Sequence, residues 1–166
     1  RPIDAIHAFR TMQGSGEAAL LVVGDGPQMG DARQAAAGAD NIAFAGWLND
    51  PCQLAKIFAA STALVLPSSH EPWGAVVNEA MASGSTVIAT DRVGAAVELI
   101  EPDVDGFVVE VADVNAIRRA MEMLAADTGT ANAMGVAARQ KAMNNGADFA
   151  AHNLILGAKN AAARFN

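Results

Sequence analysis

Five short, uniformly apolar runs separated by helical patterns constrain this chain more than any other feature. The first, within "EAALLVVGDGP", is cut off by Gly24 and Gly26. "NIAFAG" (41–46), "ALVLPSS" (63–69), "TVIATD" (86–91) and "GFVVEV" (106–111) follow. None alternates apolar with polar residues, which is the pattern of strands covered on both faces. Helical patterns occupy about 28–38, 51–60, 74–83 and 95–101. Strands and helices in alternation with short connections require βαβ units, so the expected fold is α/β, a parallel sheet with helices on both faces.

The flanks are helical. "PIDAIHAFR" places Pro2 at a first helical position and Ile3, Ile6 and Phe9 at helical spacing. After residue 111 three helices are expected with no further strand, the last at about 148–164. In the first of them Asp113 is the expected N-cap and Ile117, Met121 and Leu124 the buried stripe. The 166 residues, 52% hydrophobic, suit one domain over 1–166 with a helical tail at about 113–166. The opening directly on a helical pattern leads us to expect that the natural chain begins earlier.

Composition excludes some functions. Eleven Lys and Arg against eighteen Asp and Glu, net −7 with no basic run, leave no footprint for a nucleic-acid backbone. The single cysteine, Cys52, cannot form an intrachain disulfide and reads as a small buried apolar residue in a reducing compartment. No stretch approaches the roughly 18 apolar residues of a membrane-spanning helix.

Open parallel sheets bind ligands beyond the carboxyl ends of their strands, here the turns after Val23, Ala45, Leu66 and Thr90. The third turn carries "SSHEPWGAVVNEAMASG" (68–84). Glu71 falls in a loop before a helix and Glu79 on that helix. Unpaired amides at Gly74, Ala75 and Val76 make an anion site, and Gly74 admits close approach of a ligand. Carboxylates accept charge-assisted hydrogen bonds from vicinal diols. Spacing alone also fits an ordinary helix, with Glu71 an acid of the cap region and Glu79 a solvated side chain.

"LLVVGDGP", "NIAFAGW", "ALVLPSSHEPWGAVVNEAMASG", "VIATDRVGAAVELIEPDVDGFVV" and "NAIRRAMEMLAAD" together resemble the Rossmann-like, C-terminal donor-binding half of retaining GT-B glycosyltransferases, group 1 or family 4. The resemblance covers nearly all of residues 2–150. It implies that Glu71 faces the donor sugar, that Glu79 binds the ribose hydroxyls, and that the backbone of Gly74, Ala75 and Val76 meets sugar and diphosphate. Trp47 and Leu48 would border the nucleobase, although a Trp at a strand end also fits simple packing. Gly24 and Gly26 would shape the loop beside the donor phosphates or base, and His70 would border the sugar.

The implied ligand is a UDP-, GDP- or ADP-linked sugar, with no metal or other cofactor. The first strand and the N-terminal acceptor domain would lie outside the chain, and with them the diphosphate-binding Arg and Lys, a role not assigned to Arg1. Cytoplasmic location, with contact at the inner membrane face in the whole protein, is the corresponding expectation. A related epimerase or phosphorylase, or a non-catalytic nucleotide-binding module, are the alternatives.

Other motifs read as structural. "GDGPQMG" (24–30) has the wrong glycine spacing for a dinucleotide fingerprint. "DVD" (103–105) reads as a solvated turn, Asp91 with Arg92 as a surface ion pair, and Glu98 as a loop brace. His7, His70 and His152 lack metal-ligand spacing.

Overall fold

The computed structural model of the chain describes residues 1–144, and the helix expected at about 148–164 lies outside them. The order is α1 (Pro2–Thr11), a 3-10 turn at Ser15–Glu17, β1 (Leu20–Val23), α2 (Met29–Ala35), β2 (Ile42–Gly46), α3 (Pro51–Ala60) and β3 (Ala63–Leu66). Then come α4 (Ala75–Ala82), β4 (Thr86–Thr90), α5 (Gly94–Leu99), β5 (Gly106–Val109), α6 (Val114–Ala126) and α7 (Thr128–Asn144). The strand and helix assignments hold throughout the described residues; the 3-10 turn, stabilised by the Glu17 amide donating to Gly14, carried no sequence signal.

All the strand pairings are parallel, and they form two ladders, β1–β2 and β3–β4–β5. β1 and β3 are not hydrogen-bonded to each other, yet both pack on α1, so among the described residues each strand has one unpaired edge.

The second ladder is covered on both faces. Ala63, Val65, Ile88, Phe107 and Val109 point to a core shared with α1 and α6. Leu64, Leu66, Val87, Ala89 and Val108 point to the opposite core, with Phe58 of α3 and residues of α4, α5 and α7. The period-2 side-chain rule thus divides one strand between two cores. It explains why the central strand β4 is buried at every residue and reads as a continuous apolar run.

The first ladder departs from expectation. Leu20, Val22, Ile42 and Phe44 pack beneath α1 and α2, but Leu21, Val23, Ala43 and Ala45 are exposed. These strands are half-covered because no described helix lies on their second face, α3 packing instead beside α4.

Helix ends follow local chemistry. Asp113 caps α6 by accepting from the Ala116 amide at 2.8 Å, and Asp50 caps α3 by accepting from Cys52 at 2.9 Å with Pro51 at the first turn. Each such cap stabilises by about 1 kcal/mol. The stripe of Ile117, Met121 and Leu124 is buried as expected, against Ala5, Ala8 and Phe9 of α1 and Met12, its C-cap. Truncating a buried Phe such as Phe9 costs about 3–5 kcal/mol, so the α1–α6 contact is a principal stabiliser.

Candidate functional site

Every expected site residue lies beyond a strand's carboxyl end or on the helix that follows. The loop after β3 delivers Glu71, half-buried, and ends at Gly74, the N-cap of α4 with φ 87°. That left-handed conformation disfavours any residue with a Cβ. A Cβ there would also meet Val93 Cγ1 at 2.8 Å and Glu71 Cγ at 3.1 Å, so the glycine backbone packs directly on the Glu71 side chain. Among the described residues the amides of Gly74, Ala75 and Val76 donate to no protein acceptor, because α4 has no side-chain cap. They sit at the positive end of the helix dipole, a ready anion site.

Glu71 is not held by its own loop. Its amide donates to the Arg92 carbonyl at 3.0 Å and its carbonyl accepts from the Gly94 amide at 3.1 Å, extending the β3–β4 ladder as a parallel bridge to Val93. The sequence reading missed this segment.

A cleft of about 310 Å³ opens between α3 and α4. Leu48, Asn49, Asp50 and Pro51 form its rim, Leu54, Ala55 and Phe58 its apolar wall, and Glu79 and Ser83 the α4 side. Leu48 and Glu79, both named from sequence, therefore share one cavity. Glu79 is exposed and Asp50 is committed to the cap of α3, so Glu79 supplies the carboxylate on the α4 side. Asn49, Leu54, Phe58 and Ser83 had carried no functional signal. Their common role comes from α3 and α4 lying side by side, which local periodicity does not report.

The remaining expected residues are not among those that line this cleft. Trp47 is 69% exposed, so it is not a packing residue; its indole N–H donates to the Asn49 side-chain oxygen. Gly24 and Gly26 follow β1, and the Gly24 amide donates to the Gly46 carbonyl at 2.8 Å, tying that loop to the Trp47 loop. His70 is exposed beside Glu71.

Several structural readings change. Cys52 is exposed, because it occupies the solvent side of the first turn of α3, whose buried residue is Phe58. "DVD" is only half solvated: Asp103 is exposed with φ 65°, whereas Asp105 is 1% exposed, accepts from the Glu101 amide at 2.7 Å and pairs with Lys141 of α7. Glu98 is exposed and braces nothing among the described residues. Asp91 and Arg92 do form an exposed ion pair at 3.7 Å. Arg1 is engaged by Asp4, a hydrogen bond that pushes the guanidinium further up from its ordinary value.

Comparison with known proteins agrees with this fold. The profile of the family described as "Glycosyl transferases group 1" matches residues 3–127. N-acetyl-alpha-D-glucosaminyl L-malate synthase of Bacillus anthracis is 32% identical over 140 residues, covering 82% of this chain and 36% of that protein. Sucrose-phosphate synthase from Thermosynechococcus elongatus superposes with a TM-score of 0.71 at 31% identity, over 85% of this chain and 37% of that one. HepE of Anabaena, solved in complex with UDP-glucose, superposes with a TM-score of 0.73 at 25% identity, over 84% and 39%. The chain spans little more than a third of the length of these relatives.

Proposed function

This chain is a member of the group 1 glycosyltransferases, and we propose that it is the part that binds the nucleotide-sugar donor. The carrying observation is that Leu48 and Glu79 line one cleft, and that Glu79 stands on the helix whose first amides, Gly74 to Val76, meet no protein acceptor among the described residues. The base lies along the backbone at Leu48, the ribose hydroxyls donate to Glu79, and the diphosphate meets the amides at the start of α4. Glu71, packed against Gly74, is then at the sugar. The UDP-glucose complex of HepE supports a nucleoside diphosphate sugar as ligand.

In the reaction the bond between the anomeric carbon and the diphosphate oxygen breaks, an acceptor hydroxyl oxygen forms the new bond with retained configuration, and the hydroxyl proton passes to the departing diphosphate. Charge developing on the leaving diphosphate is stabilised by preorganised amides and the helix dipole, without a metal. Glu71 positions the sugar and stabilises oxocarbenium-like charge. The acceptor belongs to an N-terminal domain of the whole protein. Such an enzyme works in the cytoplasm, at the inner membrane face when its acceptor is a lipid.

Product analysis on the full-length protein tests this reading. Transfer predicts a nucleoside diphosphate and a retained glycoside in equal amounts, undiminished by EDTA. A sugar phosphate formed with inorganic phosphate, or an epimerised sugar, would identify a different reaction on the same fold. No turnover together with no donor binding would reject the assignment.

A further inference from the structure

Glu71 is placed by a segment distant in sequence, and the packing there leaves no room for a side chain. The Ala95 amide donates to the Trp73 carbonyl at 2.7 Å, adding a third hydrogen bond to the two that join Glu71 to Arg92 and Gly94. Residues 92–95 thus run as a strap along residues 71–73. A Cβ on Gly94 would lie 2.3 Å from the Pro72 carbonyl oxygen, 3.2 Å from its carbon and 3.4 Å from Trp73 Cα. All three are backbone atoms, so no side chain can swing aside. Val93 closes the other side: it is fully buried, and its Cγ1 packs where a Cβ on Gly74 would fall. The turn at Pro72–Gly74 is held between Val93 and Gly94.

We propose that Gly94 is a positioning residue for Glu71. Its missing side chain lets the strap seat the turn, fixing Glu71 relative to the cleft that holds base and ribose. This rests on the donor-binding reading above. A methyl group at 94 displaces Pro72, and with it Glu71, while Leu48, Asn49, Leu54 and Ser83 stay in place. Misplacing a catalytic group by about 1 Å costs on the order of 100-fold in rate.

The test uses the full-length enzyme with Gly94→Ala, Glu71→Ala and the double variant. Gly94→Ala should lower kcat about 100-fold, with affinity for UMP, GMP or AMP, whichever the wild type binds, unchanged within about twofold. Because Gly94 acts through Glu71, the double variant should turn over no more slowly than Glu71→Ala alone. Multiplying losses, or wild-type turnover in Gly94→Ala, would overturn the proposal. If Gly94→Ala does not fold, Val93→Ala loosens the same turn without a clash and must show the same non-additivity with Glu71→Ala. Failure of the wild type to bind any of the three nucleotides would overturn the donor-binding reading instead, and the inference with it.

Discussion

Leu48, in the loop after β2, and Glu79, on α4, line one cleft of about 310 Å³ although they come from different βα units. Ala55 of α3 also lines it and is itself exposed. Ala55→Trp should therefore fill the cleft at little cost to folding, within about 0.5 kcal/mol for an exposed site. Nucleotide affinity should fall at least about tenfold, measurable by titration beside a thermal melt. Unchanged affinity with the fold intact would place the base elsewhere.

Gly74 combines a left-handed backbone with contacts to Val93 and Glu71. Gly74→Ala should destabilise by about 1–3 kcal/mol and weaken diphosphate binding, because the α4 amides turn away. Urea unfolding and titration with a nucleoside diphosphate check the two effects separately.

Asp105 is buried and its partner Lys141 comes from α7, so this pair ties the turn before β5 to the helical tail. Lys141→Met leaves a buried carboxylate with only the Glu101 amide and should cost about 3 kcal/mol, less than that if water reaches the partly exposed Lys141 position. Adding Asp105→Asn should recover part of that loss. Equal stability of Lys141→Met and wild type in urea would contradict the role.

Two carboxylates, half-buried Glu122 and exposed Asp127, contribute to the acid limb of stability. The Gln13 amide, then Arg118, holds Glu122 below the usual carboxylate range, and the Thr130 hydroxyl, then the amides of Thr130 and Gly129, does the same for Asp127. A carboxyl whose pKa is lower folded than unfolded contributes fully above its unfolded value and loses that contribution as pH falls through the folded value. Stability should be level from neutral pH to about pH 5 and decline below about pH 4. Glu122→Gln with Asp127→Asn should flatten the decline; denaturant midpoints across pH measure it.

What could be read from the sequence was whatever local chemistry determines. Asp113, the stripe on α6 and the fully buried β4 follow from spacing and apolar runs alone. Glu71 and Glu79 were named from a motif after a strand end, and Leu48 from the family resemblance. The rest depended on tertiary neighbours. Apolar runs at β1 and β2 read as covered on both faces, but whether a helix covers the second face is decided elsewhere in the chain. Cys52 reads as a buried residue and Trp47 fits either a nucleobase border or packing, yet α3 presents Cys52 to solvent and Trp47 lies at the surface with its indole N–H donating to Asn49. Gly94 was invisible because its constraint is the Pro72 carbonyl, far away in sequence.

The assignment of Glu79 to the ribose is the central claim. Calorimetric titration of UDP, GDP and ADP, and their glucose or mannose conjugates, into the wild type and Glu79→Ala tests it directly. Loss of a charge-assisted pair of hydrogen bonds predicts a 10- to 100-fold weaker Kd, roughly 1.5–3 kcal/mol, with the 2′-deoxynucleotide affected far less than the ribonucleotide. Equal affinity of wild type and Glu79→Ala for the ribonucleotide would contradict it.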